Sequence, residues 1–237
     1  MNDNLQATLH KLLQSGSRSN PAMNALLDDY TKYHVVRIVA GGLLVVTFVL
    51  LSIFFWTQWK RVPKTDERKW TFEKKTYFSF GALSTVVGLL IAFIVAANVT
   101  NALDPRNGFS LLVDSLGTPK AGTQMDIIYQ AFNTWVQSGS TTIPPVVQTK
   151  IQERIALHTT SAIVYGILLV VFVVLDAPIW RTLIKRSRVR QARWGLQERA
   201  LLASGVAAVA LSLLLMVMVV VNLQGAIAPI TLTLLEG

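Results

Sequence analysis

The 237-residue chain has no cysteine. That excludes disulfides, thiolate metal sites and cysteine nucleophiles, and leaves every compartment open. Charge is also scarce: 15% of residues are Asp, Glu, Lys or Arg, where a soluble domain carries about 25%. Only three histidines occur, His10, His34 and His158. No two of them stand in HxxH or HxxxH spacing, so the clustered ligands of a zinc site are missing. The chain holds no Walker loop, GxSxG, HExxH or dinucleotide fingerprint. These absences remove the common catalytic classes, and the expectation is a protein that is not an enzyme and carries no cofactor or metal.

Apolar sequence takes the place of charge. Hydrophobic residues make up 52% of the chain and the mean hydropathy is +0.46. The excess sits in four runs, Ile38–Trp56, Tyr77–Ala97, Ala162–Ile179 and Ala200–Val221. Each is close to the roughly 20 residues that cross a hydrocarbon core about 30 Å thick. Asp176 is the only charge inside them, so a pair of carboxylates within the membrane is excluded. The runs lack the alternation of a barrel strand, and a helix satisfies its own backbone in lipid. Four transmembrane helices are therefore predicted. No secretory signal pattern precedes them: the first run lies behind a polar tail and no small-residue cleavage site follows it. The N-terminus is expected to stay with the protein.

Of the 22 basic residues, 14 lie in two short loops, 57–75 and 181–199, with only four acids among them. The first carries Lys60, Arg61, Lys64, Arg68, Lys69, Lys74 and Lys75; the second carries Arg181, Lys185, Arg186, Arg188, Arg190, Arg193 and Arg199. Lys and Arg close to helix ends mark the cytoplasmic side. Both hairpin loops are expected in the cytoplasm of a cell-membrane protein, with the N-terminus, the 98–161 connection and the C-terminus outside. Topology alone accounts for these charges. The second loop, with Arg181, Lys185, Arg186, Arg188, Arg190 and Arg193 in an acid-free stretch, is also the stronger candidate for docking anionic lipid headgroups or an acidic partner. A short loop tied to the membrane at both ends offers no nucleic-acid recognition module, so nucleic acid is not an expected partner.

The sequence also repeats. Shifted by 124 residues, His34 falls on His158, Gly42 on Gly166, Phe48 on Phe172, Trp56 on Trp180 and Trp70 on Trp194. Gly81 falls on Gly205, Asn98 on Asn222 and Pro105 on Pro229, with no gap from 34 to 105. Upstream, an offset of 123 places Gln14-Ser15-Gly16-Ser17 on Gln137-Ser138-Gly139-Ser140, and Leu5, Leu9, Leu12 and Leu13 on Ile128, Phe132, Trp135 and Val136. That spacing is one face of an amphipathic helix. The predicted fold is an all-α integral membrane protein: four transmembrane helices from a tandem duplication of a two-helix unit, with small extracytoplasmic amphipathic helices. The first repeat spans 1–105 and the second 126–237; the stretch 106–125, interrupted by Gly, Pro and Ser, is read as a linker. In each repeat a helix outside the membrane ends at a glycine. A polar juxtamembrane helix then leads into the first crossing.

Five residues are candidates for a polar or partner-binding site. His34 and His158 stand where the chain enters the membrane from outside; the plain role is an interfacial histidine, the sharper one a shared metal or proton site. Asn98 and Asn222 end the second and fourth runs and suit hydrogen bonding between helices. Asp176, an intramembrane acid, points to a local ion pair with Arg181 or Lys185, a partner contact, or proton coupling. The trpyptophan pairs belong at the headgroup level. Together these features predict a non-catalytic accessory, scaffold or assembly subunit of a membrane complex, bound to another membrane protein or to itself. The alternative is a small transporter or channel working as an oligomer, which the repeat favours and the shortage of polar membrane residues opposes.

Overall fold

The structure is a computed structural model that describes residues 3–16, 19–62, 71–189 and 195–235. These residues form eight helices and no strand: α1 (Asp3–Gln14), α2 (Pro21–Arg61), α3 (Phe72–Leu103), α4 (Pro105–Asp114), α5 (Gln124–Ser138), α6 (Pro145–Val189), α7 (Leu196–Ile227) and α8 (Pro229–Leu235). Four of them, α2, α3, α6 and α7, are long and apolar enough to cross a membrane, and each contains one of the four apolar runs. The chain is thus an all-helical, multi-pass membrane protein in outline.

The expected juxtamembrane helices are not separate elements. Residues 21–37 and the run after them form the single 41-residue helix α2, about 60 Å long at 1.5 Å per residue. Nothing in that stretch breaks a helix, and Pro21 stands at its first position, where a missing N–H is harmless. Asn20 caps it: its Oδ1 accepts from the Met23 amide and its Nδ2 donates to Val136 O. Helix α6 likewise runs 45 residues through Pro178, which leaves the Val174 carbonyl without its helical donor. The stretch 106–125 is not all linker either, because its first half lies in α4. Gly108 does not break that helix. It gives close approach instead, since a Cβ there would lie 2.5 Å from the Tyr30 hydroxyl.

The chain divides into two compact units. The first comprises Met1–Val39, Val95–Ser161 and Val221–Gly237. Its core is built from Leu5 and Leu9 of α1, Met23 and Leu26 of α2, Phe109 and Val113 of α4, Ile128, Phe132 and Trp135 of α5, and Leu234 of α8. Full burial of each such side chain contributes roughly 1.5–3 kcal/mol. The apolar positions of α5 recur at three- and four-residue steps, which is why one face of this helix is buried. Gly16 and Gly139 follow α1 and α5 with φ of 63° in both cases, the left-handed cap that glycine adopts without a Cβ penalty.

The second unit comprises Ala40–Ile94 and Ala162–Val220. It is held by close contacts between long helices. A Cβ on Gly81 would meet the Trp56 ring at 3.1 Å, and one on Gly205 would meet the Trp180 ring at 3.1 Å. Much of its apolar surface has no protein against it: Leu43, Phe93, Val170 and Leu214 are 67%, 76%, 62% and 52% exposed. A soluble protein does not leave contiguous apolar surface on this scale uncovered, whereas hydrocarbon covers it without penalty.

Candidate functional site

Two histidine–asparagine pairs are the polar centre of the first compact unit. His34 Nδ1 lies 2.7 Å from Asn98 Oδ1, and His158 Nδ1 lies 3.0 Å from Asn222 Oδ1. All four side chains are buried. The amide oxygen accepts, so each ring donates from Nδ1 and is left with Nε2 as its second nitrogen. Neither Nε2 has a hydrogen-bond partner among the described residues. For His34, burial holds the imidazole below its ordinary value, opposed by the Asn98 hydrogen bond and reinforced by Arg37. Its neutral form is favoured because a proton on Nε2 would be buried without an acceptor.

The surroundings of the two pairs differ. His34 packs against the rings of Tyr30 at 4.4 Å and Tyr33 at 5.3 Å. Beside it, Gln224 Nε2 donates to the Tyr33 carbonyl at 3.1 Å, tying α7 to α2. His158 instead packs on Gly225, where a Cβ would fall 2.4 Å from His158 Cδ2. The histidines and asparagines singled out by sequence are thus brought together within each pair. No group of three or more His, Asp or Glu able to hold a metal exists among the described residues.

Asp29 is a buried acid that the sequence reading passed over. It lies in α2, nine residues before the apolar run begins. Its Oδ2 accepts from the Thr231 amide at 2.6 Å, at the start of α8, where unpaired N–H groups need an acceptor. Burial raises its carboxyl above the ordinary value, with the Thr231 and Ile230 amides and Lys32 opposing. One signal was available: Pro229 opens a helix whose preceding residue, Ala228, cannot cap. In the other half Asp104 precedes Pro105 and caps α4 itself through the Asn107 amide.

Asp176 stands apart from the histidine pairs, in the second compact unit. It faces Trp180 one turn along α6 without closing a hydrogen bond of ordinary geometry. The ion pair with Arg181 or Lys185 does not form among the described residues, and both cations are exposed. Arg186 of the basic loop reaches Glu198 Oε1 at 3.4 Å, and Glu198 Oε2 also accepts from the Gly195 amide. Arg190 and Arg193 lie outside the described residues, as does the side chain of Arg188.

Comparison with protein-family models, with curated proteins and with solved structures found no match to this chain.

Proposed function

We propose that this chain is a non-catalytic multi-pass protein of the cell membrane, built from two tandem copies of a two-crossing repeat and acting as an accessory, scaffold or assembly subunit of a membrane complex. The observation that carries the reading is how the polar side chains are used. His34 is tied to Asn98, His158 to Asn222, and Ser52 to Thr85 at 2.7 Å. Each bond joins the two long helices of one hairpin, so polar groups are consumed in holding helices together rather than arrayed for chemistry or along a path.

Recurrence supports the duplication. The His–Asn bond and the Trp–Gly contact both return at an offset of 124 residues, and Pro105 and Pro229 both start helices. Repeats with an even number of crossings run in the same direction, so both basic loops share one side, and their Lys and Arg favour the cytoplasm for that side, with both chain ends outside. Anionic lipid headgroups and another membrane protein, or a second copy, are the partners this arrangement suits.

Purification in mild detergent tests the role. A stoichiometric membrane protein that co-purifies supports it. Recovery of this chain alone, together with solute flux in reconstituted vesicles, overturns it in favour of a transporter. Single cysteines introduced into the Cys-free background test the topology: labelling at position 188 from outside would reverse it.

A further inference from the structure

The second compact unit contains a groove of about 340 Å³ between α3, α6 and α7. That size lies at the lower end of ligand sites, roughly 300–1,000 Å³. Its walls are apolar along most of their length, with Leu83 on α3, Trp180 on α6, and Leu202, Val206 and Val209 on α7. Polarity is confined to one end, where Lys75, Thr76 and Ser79 stand in the first turns of α3. Thr76 spends its hydroxyl on the Phe72 carbonyl. The Lys75 ammonium remains exposed at the rim.

A second cation stands at the same end of α7. Arg199 precedes Leu202 by three residues, and Leu202, Val206 and Val209 continue that helical face into the groove. Arg199 is exposed, and the neighbouring acid Glu198 is already engaged by Arg186 and the Gly195 amide. The first turns of α3 and α7 also add the positive ends of two helix dipoles. The rim is thus cationic and the interior apolar.

At the register of Leu202 the first half has Phe78, whose ring packs edge-on against Trp56 at 5.5 Å and lies tilted against Trp59 at 6.2 Å. A phenyl ring stands there where the groove has a leucine.

We propose that this groove holds an acyl chain of an anionic phospholipid drawn from the leaflet next to the basic loops, with its phosphate between Lys75 and Arg199. The occupant follows from charge complementarity at the rim and from a slot that opens to lipid along an apolar wall. The proposal rests on the membrane-spanning reading and is independent of the accessory role.

The test is quenching of Trp180 fluorescence in vesicles that contain acyl-brominated phosphatidylglycerol or acyl-brominated phosphatidylcholine at equal mole fraction. The Trp180 contribution is taken as wild type minus Trp180→Phe. The anionic lipid is expected to be favoured about five-fold per cation. Lys75→Ala with Arg199→Ala should make the two lipids equivalent. Leu202→Phe, which puts into the groove the ring that Phe78 has at the same register, should reduce quenching by both. Lipid adducts retained by the wild-type protein in native mass spectrometry, with phosphatidylglycerol against phosphatidylcholine, give the same comparison without any variant. Equal quenching and equal adducts for both lipids would overturn the proposal. So would weak quenching by both together with cross-linking of groove positions between copies or to another protein. A chain that does not insert into vesicles refutes the membrane reading, whereas one that inserts without preference refutes the groove alone.

Discussion

Trp56 and Trp180 stand 124 residues apart, each against the glycine of the neighbouring long helix, yet their indoles meet different chemistry. Trp56 Nε1 donates to Thr85 Oγ1 at 3.2 Å, and Thr85 is bonded in turn to Ser52. Around Trp180 the same positions hold Val209 for Thr85 and Asp176 for Ser52. Among the described residues the hydroxyl network of the first hairpin has no counterpart in the second. What the two halves share is geometry, a bulky ring seated on a Cβ-free backbone. What they do not share is the polar satisfaction around the ring. Helix approach is therefore the more constrained property, and the valine that replaces the hydroxyl partner, Val209, lines the groove beside Trp180.

The largest effect is expected where the two halves differ most sharply in packing. Gly225→Ala places a methyl 2.4 Å from His158, and overpacking of this kind costs roughly 1–3 kcal/mol. The variant should fall at the upper end, measured by thermal unfolding in detergent. Gly166→Ala has nothing within 4 Å of the added carbon and should be neutral or stabilising, since alanine is favoured over glycine in a helix by up to about 1 kcal/mol. A Gly225→Ala protein as stable as Gly166→Ala would mean that α7 does not approach His158 so closely.

The histidine pairs come next. Asn98→Ala and Asn222→Ala each leave a buried imidazole N–H without its acceptor, a loss of about 1–3 kcal/mol. If the two pairs are equivalent the losses match. If the tyrosines around His34 and the Gln224 bond beside it share the load, Asn98→Ala is the milder of the two.

Exchanging the hairpins' polar residues has a smaller and signed effect. Thr85→Val should destabilise, and Val209→Thr should stabilise by giving the Trp180 indole an acceptor. Each change should be near 0.6 kcal/mol, the average for hydrogen bonds between membrane helices. Near-ultraviolet circular dichroism of the tryptophans checks that the ring environments exchange as well. Changes of the same sign in both variants would break the comparison.

The four long helices were legible because hydropathy over twenty residues is a strong signal and lipid enforces it. The His–Asn contacts were half legible: the 124-residue offset puts His34 in register with His158 and Asn98 with Asn222, but not histidine against asparagine, which requires knowing how α2 lies on α3. The helix starts at Pro21 and Pro145 and the left-handed Gly16 and Gly139 follow from local backbone rules. The continuity of α2 was missed because its polar first third resembles a surface helix in composition. The α4 helix was missed because Gly108 looks like a breaker when its contact with Tyr30 is not visible. For Asp29 the sequence offered only the missing cap before Pro229, not its donor, since its partner at Thr231 is 202 residues away.

That acid supports the last and smallest prediction. Asp104 caps α4 from the residue before it, whereas α8 is capped from α2 by Asp29. The distant cap is buried, and its carboxyl is raised above its ordinary value near 3.8, chiefly by desolvation. The native state then holds the Asp29 proton more tightly than the unfolded chain does. Its contribution to stability is fully present below the ordinary value and is lost as pH rises through the raised one. Asp29→Asn keeps an oxygen for the Thr231 amide but cannot ionise. Its midpoint of unfolding should match wild type in acid, move ahead of it as pH rises from the ordinary value to the raised one, and hold a constant lead above that. The difference between the two proteins at each pH cancels titrations elsewhere in the chain, because distant groups contribute equally to both. A difference that stays flat with pH would mean that the carboxylate is as well solvated in this cap as in the unfolded chain, and the contrast between local and distant capping would reduce to a matter of geometry.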